Sequence, residues 1–375
     1  MRKPMVMVQA SECIDSRQRT GQPWNDMHPE ALESMSSLQG DERGMGSMLS
    51  KASMVFILTD ENVVSFWLPE VVHWLHCGSA IDIVIKAGEQ HKNLQNVQRI
   101  WKTLMRHHAD RNSLLINLGG GVITDLGGFA ASTYKRGIKF INVPTTLLAM
   151  VDAAIGGKTG IDFGGAKNQI GTFAEAEDVI IDPVFLKTLP QRELLSGMAE
   201  MLKYGFIADP SLLEINQKNY QCYIKRAGEI KRDIVEKDPL EKGLRKILNF
   251  GHTMGHAIES HYLSTDNPLL HGEAVALGMA AALWISVKQC GLDSKVLDNF
   301  EKQLPALLSE AEISFSEIDI DPIMAYLVHD KKNKGEKPQF VLLEAVGKPI
   351  WDVEVPVEIL RVSLEYIINK VSRGY

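Results

Sequence analysis

The pattern of apolar and polar positions divides the chain into two parts with different predicted elements. Short runs rich in β-branched residues recur between residues 55 and 181, and helical stretches such as Leu94–His107 separate several of them. Strands that alternate with helices predict a parallel sheet with crossover connections. The predicted strands are Val55–Leu58, Ile81–Ile85, Leu114–Ile116, Phe140–Val143 and Val179–Ile181.

Beyond about Pro190 the strand pattern gives way to long helical stretches. Two apolar runs around Gly347, Gln339–Leu343 and Pro349–Val353, predict one late hairpin. The predicted helices are Arg192–Tyr204, Ser211–Lys237, Arg245–His261, Gly272–Gln289 and Ser294–Ser309.

These patterns predict two domains after a divergent, poorly ordered arm. Residues 1–50 are rich in Met, Ser, Gly, Gln and Asp and have weak periodicity, which is typical of such an arm. Residues 51–189 are expected to form an α/β nucleotide-binding domain with a mostly parallel sheet. Residues 190–375 are expected to form a mostly α-helical metal- and substrate-binding domain, with the active site in the interdomain cleft.

Composition limits the classes of function. The chain has 375 residues, a hydrophobic content of 45% and a net charge of −7. This charge, without a long basic block, argues against nucleic acid or an anionic membrane as a partner. The start lacks a signal-peptide pattern, and the longest apolar run, Val275–Ile285, is too short to span a bilayer. Four separated cysteines without a CxxC pair argue against a disulfide framework, so a cytoplasmic location is expected.

A glycine-rich turn is the first candidate site. Gly119, Gly120 and Gly121 follow a predicted strand and precede the helix that carries Asp125. Such a turn lets backbone N–H groups approach a pyrophosphate at the positive end of a helix. The spacing is not GxGxxG, and an ordinary strand-to-helix turn also uses glycine, so both interpretations stay open.

Other polar residues near predicted strand ends could contact the ribose of a nucleotide. Asp60 ends a strand, and Glu89 stands close to Lys92. Carboxylates at these places can accept hydrogen bonds from ribose hydroxyls. Each of them could equally be a loop carboxylate or part of a solvated ion pair.

A second candidate site has the residue types of a metal centre. His252 and His256 are four residues apart and share one helix face, His271 follows at a predicted helix start, and Glu200 stands one turn before Lys203. A carboxylate and two imidazoles suit Zn²⁺ and leave one position for a substrate oxygen. HExxH is absent, which excludes the common metalloprotease pattern. Capped or core histidines remain the alternative.

Cationic residues form the third candidate group. Lys158 in GGKTG and Lys167 in GGAKNQ have glycine neighbours, which favour a close approach of a ligand. Gathered together, such cations would hold a phosphate and a carboxylate. Lysines are usually surface residues, and that alternative stays open. The other candidate cations are Arg136, Lys203, Lys231 and Arg245.

Six segments together resemble the 3-dehydroquinate synthase family, in the family's order and over roughly Val55 to Gly347. They are GGGVITDLGGFAAS, RGIKFINVPTTLLAMVDAAIGGKTGID, KNQIGTF, GMAEMLKYG, GLRKILNFGHTMGHAIE and HGEAVALGM. The resemblance implies a cytoplasmic shikimate-pathway lyase in the biosynthesis of chorismate and aromatic amino acids. It would convert 3-deoxy-D-arabino-heptulosonate 7-phosphate to 3-dehydroquinate and phosphate, with NAD and with Zn²⁺ or a substitute such as Co²⁺.

The resemblance also implies roles for individual residues. Glu200, His252 and His271 would bind the metal, and the chain would form a homodimer in which Arg136 reaches the partner's site. NAD-contacting positions would be Asp60, Glu89, Lys92, Gly120, Gly121, Val122, Ile123, Thr124, Asp125, Thr145, Thr146, Lys158, Lys167, Phe185, Leu186, Lys187 and Thr188. Substrate-binding or catalytic positions would be Asp152, Lys158, Asn168, Lys203, Lys231, Arg245, Asn249, His256 and either Lys331 or Lys332.

The chain also departs from the family's pattern. Its first fifty residues lack the usual opening strand pair, and Gln169 stands where an apolar residue is commoner. Alternative functions are another sugar-phosphate cyclase, a metal-dependent polyol dehydrogenase and a non-catalytic relative. The residues that rival cyclases tend to alter are all present, which favours the dehydroquinate synthase over other cyclases. They are Lys158-Thr159, Lys231, Arg245 and Asn249.

Overall fold

The computed structural model describes residues 5–7, 45–164, 166–263, 265, 267–311, 320–329 and 338–372. The chain divides into two compact units, Met1–Leu189 and Pro190–Tyr375. Most of the expected arm over residues 1–50 lies outside the described residues, and so do Lys331 and Lys332.

The first unit contains a six-stranded sheet in which every pair of neighbouring strands is parallel. Its strands are β1 (Met5–Met7), β2 (Val55–Asp60), β3 (Ile81–Ile85), β4 (Leu114–Gly119), β5 (Lys139–Pro144) and β8 (Asp178–Ile181). Along the sheet the strand order is β1-β8-β5-β4-β2-β3. All five predicted strands are confirmed.

Strand β1 was not expected, because the first fifty residues were thought to lack the family's opening strands. Met5 pairs with Val179 and Met7 with Ile181, so β1 extends the sheet beyond β8. Three residues are too few to show a periodicity, which is why the sequence pattern did not indicate this strand.

The three longer helices of the first unit pack on the sheet, and their apolar positions recur at helical spacing. They are α1 (Met45–Lys51), α2 (Glu61–Trp74), α3 (Leu94–Arg106) and α4 (Gly121–Thr133). Helix α3 buries Val97, Ile100 and Leu104, which are three and four residues apart. Strand β4 is buried at every position, as expected of a parallel strand covered on both faces.

The order of the strands reverses between β2 and β4, since β3 lies on one side of β2 and β4 on the other. In open α/β sheets, ligands bind outside the carboxyl ends of the strands at this switch point. Asp60 ends β2 and Gly119 ends β4. The topology therefore favours a nucleotide site at the glycine-rich turn.

A two-stranded antiparallel sheet, β6 (Lys158–Phe163) with β7 (Ala166–Phe173), also belongs to the first unit. The sequence patterns did not indicate this small sheet. Its strands contain glycines and charged residues, which are depleted in strands, and β7 is mostly exposed. This hairpin carries three candidate residues: Lys158, Lys167 and Asn168.

The second unit is mostly helical. Its helices are α5 (Gln191–Ile207), α6 (Ile224–Lys237), α7 (His252–Tyr262), α8 (His271–Gln289), α9 (Ser294–Leu307), α10 (Ile320–His329) and α11 (Val357–Ser372). The predicted hairpin around Gly347 is confirmed as β9 (Gln339–Ala345) and β10 (Lys348–Glu354). Among the described residues, no helix combines the length and the hydropathy needed to cross a bilayer.

Two predicted helices are wrong in their first halves. Ser211–Lys237 begins with separate 3₁₀ turns at Pro210–Glu214 and Tyr220–Tyr223, because Asp209 and Asn219 form local side-chain hydrogen bonds that favour turns. Arg245–His261 begins with a 3₁₀ turn, Leu244–Asn249, and Gly251 then interrupts it at a φ of 78°.

Candidate active site

Three helices of the second unit bring a carboxylate, a lysine and three histidines together. Helix α5 supplies Glu200 and Lys203, one turn apart, and α7 supplies His252 and His256 from one face. His271 is the first residue of α8. Helices α7 and α8 can approach closely because Gly278 has no side chain. A Cβ there would lie 2.0 Å from the carbonyl oxygen of Gly251.

The distances in this cluster match the ligand spacing of a metal ion. Glu200 Oε1 lies 3.4 Å from His252 Nε2 and 3.4 Å from His271 Nε2. Two ligand atoms that each bind zinc at about 2.1 Å are about 3.4 Å apart in tetrahedral geometry. Glu200, His252 and His271, the three residues implied as ligands, thus have the donor types that suit a divalent ion, and both histidines lie at a suitable separation from Glu200.

The other ring nitrogens of both histidines are oriented by oxygen acceptors. His252 Nδ1 is 3.1 Å from the carbonyl oxygen of Phe250, and His271 Nδ1 is 3.4 Å from Glu259 Oε2. Metal-binding histidines commonly donate one N–H to a carbonyl or a carboxylate, which leaves the other nitrogen as a ligand. Glu259 was not predicted, although it lies seven residues after His252 and so shares its helix face.

The pKa values of the two imidazoles are shifted in opposite directions. Burial and the Lys203 ammonium lower the pKa of His252 to about 3. Burial also disfavours the charged form of His271, but the carboxylates of Glu259 and Glu200 outweigh it and raise that pKa to about 10. His252 is therefore a neutral imidazole at physiological pH, the form that binds a metal. The carboxylates beside His271 favour a positive charge there, which a bound cation would supply in place of the proton.

His256 is a second possibility for the third ligand. One ligand atom from each of His252, His256 and His271 lies within 4.8 Å of the others, and this is a possible metal-binding group among the described residues. Glu200 fits better, because an anionic ligand partly neutralises a dication and both of its distances match. Lys203 also contacts Glu200 Oε2, which holds the carboxylate in place.

Three cations of the second unit are buried. Lys203, Lys231 and Arg245 are 1%, 7% and 2% exposed, which is unusual for such residues unless they have a partner or a ligand. The Asp238 carboxylate accepts hydrogen bonds from the backbone N–H groups of Gly243 and Arg245. That turn fixes the start of the segment that carries Arg245.

Asn249 has a partner that sequence reasoning missed. Its Nδ2 donates to Glu241 Oε1 at 2.6 Å, and Glu241 itself has a left-handed backbone with a φ of 56°. A non-glycine residue in that conformation is uncommon and is often found at functional sites. The sequence offered no signal for Glu241, since glutamate is ordinary in an exposed loop.

The glycine-rich turn of the first unit presents the N-terminus of α4. Gly120 is the N-cap and offers no side-chain acceptor, so the first N–H groups of the helix are available to an anion. A Cβ at Gly120 would lie 2.9 Å from Thr146 Cγ2, and one at Gly121 would lie 3.1 Å from Ala153 Cβ. Glycine is thus required by the close packing around this turn.

Lys92 lies at the centre of a polar cluster in the first unit. Its Nζ is 2.6 Å from Asp125 Oδ2 and 2.7 Å from Asn168 Oδ1, and Glu89 Oε1 is 3.8 Å away. Burial opposes the charge of Lys92, but Asp125 and Glu89 outweigh it and raise its pKa. Lys92 thus joins residues that were assigned separately to NAD and to substrate.

Asn168 is held by a second residue of the same hairpin. Its backbone N–H donates to Asp162 Oδ1 at 2.7 Å, and its φ is 52°. Lys167 Nζ lies 3.8 Å from Glu89 Oε1, so the hairpin also contacts the residues that follow β3. Asp162 was not predicted, because the hairpin itself was not.

The remaining NAD candidates lie near the carboxyl ends of the strands. Asp60 Oδ1 caps α2 by accepting from the N–H groups of Asn62 and Val63. Thr145 and Thr146 follow β5, and the N–H of Thr145 donates to Gly119 O at 3.0 Å. Val122, Ile123 and Thr124 belong to the first turn of α4.

The segment from Phe185 to Thr188 forms part of a 3₁₀ helix, Pro183–Thr188. Phe185 is buried against Trp67, with ring centroids 4.9 Å apart, and Trp67 Nε1 donates to Thr188 Oγ1 at 2.7 Å. These contacts give Phe185 and Thr188 a structural role, while Leu186 is buried and Lys187 is exposed.

Three further candidates lie in exposed or half-buried positions of the first unit. Asp152 belongs to a π-helical turn, Ala149–Ala153, and Lys158 is exposed at the start of β6. Arg136 is exposed and has a φ of 69°, directly after Lys135 at 49°. Two consecutive left-handed non-glycine residues cost roughly 1–2 kcal/mol each.

Comparison with known proteins agrees with these observations. Family models for 3-dehydroquinate synthase match residues 82–196 (N-terminal) and 197–333 (C-terminal). The chain is 41% identical to the 3-dehydroquinate synthase of Parabacteroides distasonis over 354 residues, which cover 91% of this chain and 95% of that protein.

Solved structures of sugar-phosphate cyclases have the same fold. A 2-deoxy-scyllo-inosose synthase complexed with carbaglucose-6-phosphate, NAD⁺ and Co²⁺ is 24% identical, with a TM-score of 0.77 over 89% of this chain and 94% of that one. A 2-epi-5-epi-valiolone synthase from Streptomyces hygroscopicus, with NAD⁺ and Zn²⁺ bound, is 26% identical, with a TM-score of 0.75 over 85% and 92%. The chain therefore belongs to the 3-dehydroquinate synthase family.

Proposed function

We propose that the chain converts 3-deoxy-D-arabino-heptulosonate 7-phosphate into 3-dehydroquinate and inorganic phosphate, with the cytoplasm as its expected location. Family membership supports this function. Within the candidate site, the observation that supports it most is the position of Glu200 between two histidines. The Glu200 carboxylate lies 3.4 Å from the Nε2 atoms of both His252 and His271. That arrangement suits a divalent cation with one position left for a substrate oxygen.

Two groups that this chain does not itself contain supply part of the chemistry. A divalent cation held by Glu200, His252 and His271 would supply a Lewis acid for the substrate hydroxyl that is oxidised. NAD held by the glycine-rich turn would supply reversible hydride transfer, so no net NADH is expected. The donor set fits Zn²⁺ and Co²⁺, which both accept imidazole and carboxylate ligands.

The side chains of the second unit would bind and orient the substrate. Lys231 and Arg245 are buried cations of the kind that hold a phosphate or a carboxylate. Asn249, oriented by Glu241, would bind a hydroxyl. Loss of phosphate needs cations rather than a strong base, because the leaving dianion can itself accept the neighbouring proton.

His256 would act on protons rather than on the metal. Its ring centroid is 5.2 Å from that of His252 and 5.7 Å from that of His271, so it lies beside the proposed centre. A half-buried imidazole beside the proposed centre is suited to general acid–base catalysis.

Phosphate release in the presence of NAD⁺ and Zn²⁺ tests the proposed reaction. We expect release from the heptulosonate phosphate, loss of release with a chelator, and no accumulation of NADH absorbance. Release from sedoheptulose 7-phosphate alone would instead assign another cyclase activity. Net accumulation of NADH with a polyol would assign a dehydrogenase.

We further propose a homodimer in which Arg136 contributes to the partner's site. The exposure of Arg136 and its left-handed backbone support this, because a strained and exposed residue often has a functional reason. Mixing Arg136→Ala and His271→Ala chains tests it. Random pairing should restore about a quarter of the wild-type activity, since only the mixed dimer contains one complete site. No restoration would contradict the exchange.

A further inference from the structure

One face of α5 contacts the first turn of α8 at three successive levels. Arg192, Ser196 and Glu200 are four residues apart, so they lie along one side of α5. Their counterparts on α8 are Glu273, Gly272 and His271, in reverse order along the chain. The proposed metal ligands Glu200 and His271 thus form the last level of a continuous contact between these two helices.

The Arg192–Glu273 pair forms the first level. Arg192 Nε lies 2.6 Å from Glu273 Oε1, and its Nη2 lies 2.7 Å from Glu273 Oε2. Nη2 also donates to the carbonyl oxygen of Pro268 at 2.9 Å. A bidentate pair of this kind fixes both distance and orientation, and Glu273 is only 2% exposed.

The same carboxylate satisfies the backbone at the start of α8. The N-cap residue, Leu270, has no side-chain acceptor, so the helix cannot be capped in the usual way. Instead Glu273 Oε2 accepts from the N–H of Leu270 at 2.7 Å, and Ser196 Oγ accepts from the N–H of Gly272 at 3.0 Å. The turn that carries His271 is therefore held by residues of α5 and by Glu273.

The approach of the two helices depends on Gly272. A Cβ at this position would lie 2.0 Å from the carbonyl oxygen of Ser196, so no other residue fits. His271 lies between Leu270 and Gly272, both of which are fixed by these hydrogen bonds. A displacement of this turn would change the separation between His271 Nε2 and Glu200 Oε1 directly.

We propose that Arg192 and Glu273 are positioning residues for the metal centre. They hold the first turn of α8 against α5 and thereby set the separation of Glu200 and His271 for a divalent cation. This inference rests on the proposed metal site and adds two residues that touch neither the ion nor the substrate.

The test measures Zn²⁺ affinity of the full chain by competition with a chromogenic chelator. Arg192→Lys keeps the charge but loses the bidentate geometry, and Glu273→Gln keeps the shape but loses the charge. We expect each variant to raise the Kd for Zn²⁺ by about 10- to 100-fold, the usual cost of removing a group that supports a metal ligand. The visible spectrum of bound Co²⁺ should change as well, because the ligand geometry changes.

A matched control separates positioning from general stability. Arg226→Lys alters another arginine–carboxylate pair of the second unit, in which Arg226 Nε lies 2.6 Å from Asp209 Oδ2. This control should bind Zn²⁺ like the wild type. Kd values for Arg192→Lys and Glu273→Gln equal to that of the control would overturn the proposal.

Two further outcomes are also decisive. If circular dichroism shows that Glu273→Gln does not fold, the Kd of Arg192→Lys alone decides. Arg192 is the more exposed residue of the pair, so its substitution disturbs the buried packing less. If the wild-type chain binds no Zn²⁺, the metal site itself is wrong and the positioning role falls with it. Tight binding by the wild type and by both variants contradicts only the positioning role.

Discussion

The two units of the chain provide binding groups in different ways. In the first unit the candidate nucleotide site consists mainly of backbone N–H groups at the start of α4, and its nearby charges neutralise one another, as Lys92 does with Asp125. In the second unit the candidate metal site consists of buried and half-buried side chains, with Glu200 fully buried, His252 only 8% exposed and His271 half-buried.

This difference determines which substitutions each site tolerates. A site made of backbone groups is sensitive to added atoms, because a new Cβ fills the space of the ligand. A site made of buried side chains is sensitive to removed atoms, because each deletion leaves a buried partner without its counterpart.

The largest effect should follow from removing a ligand in the second unit. His271→Ala should abolish Zn²⁺ binding and reduce turnover by about a thousandfold or more, since a metal contributes several kcal/mol and about 4 kcal/mol is a thousandfold. Metal content and phosphate release measure this. The control is His261→Ala, which changes a histidine of α7 that is not a proposed ligand. Full activity of His271→Ala would remove His271 from the site.

A smaller loss is expected at Lys158, an exposed cation of the first unit. Lys158→Ala removes a charge-assisted contact of roughly 1.5–3 kcal/mol, which corresponds to about a 10- to 150-fold loss in kcat/KM. Steady-state kinetics with the heptulosonate phosphate measure it, with Lys139→Ala as an exposed control on β5. Unchanged kinetics would make Lys158 an ordinary surface residue.

An added methyl group at the glycine-rich turn should weaken NAD⁺ binding. Gly120→Ala places a Cβ 2.9 Å from Thr146 Cγ2, and overpacking of this kind costs about 1–3 kcal/mol. The turn must shift to relieve this contact, which displaces the backbone N–H groups that would bind the pyrophosphate. Loss of even one hydrogen bond to a charged group costs about 1.5 kcal/mol, so the Kd for NAD⁺, measured by calorimetry, should rise by about tenfold. Gly78→Ala is the matched control, since no atom lies within 4 Å of a Cβ there. Equal affinities for NAD⁺ would contradict a site at this turn.

The smallest effect is expected at Asp182 and concerns stability alone. Burial raises the pKa of Asp182 from 3.8 to about 6, although the N–H of Val184 favours the charged form. A carboxyl with a raised pKa destabilises the fold when it is ionised, so the cost is absent at about pH 4 and complete well above pH 6.

Asp182→Asn should therefore stabilise the chain only at higher pH. The difference of about two between the pKa values of Asp182 in the unfolded and folded chain corresponds to at most about 3 kcal/mol in the free energy of unfolding. Thermal unfolding at about pH 8 should show a higher Tm for the variant, and the gain should vanish near pH 4. A gain of equal size at both pH values would contradict the assignment to ionisation.

Sequence patterns identified the fold where the elements are long or strongly apolar. The parallel strands are buried on both faces and are rich in β-branched residues, so they were found directly. The hairpin of β6 and β7 was missed because glycines and charged residues give no alternation, although Gly160 and Gly171 are needed where the two backbones approach. The break at Gly251 was missed because both sides of it have helical patterns.

The candidate site was predictable only in part, for a similar reason. Histidine and glutamate residues at helical spacing, together with the family resemblance, indicated Glu200, His252 and His271. The supporting residues Glu259, Arg192 and Glu273 resemble solvated charges in sequence, and only their burial and contacts in the fold distinguish them. Metal-supporting partners are generally recognised from three-dimensional contacts.

Anomalous diffraction at the zinc absorption edge, from crystals grown with NAD⁺ and Zn²⁺, tests the central claim most directly. We predict one strong peak bonded to Glu200 Oε1, His252 Nε2 and His271 Nε2, with His256 close by but outside bonding distance. A peak bonded to His256 instead of Glu200 would contradict the ligand set. No peak in the second unit would contradict the metal centre.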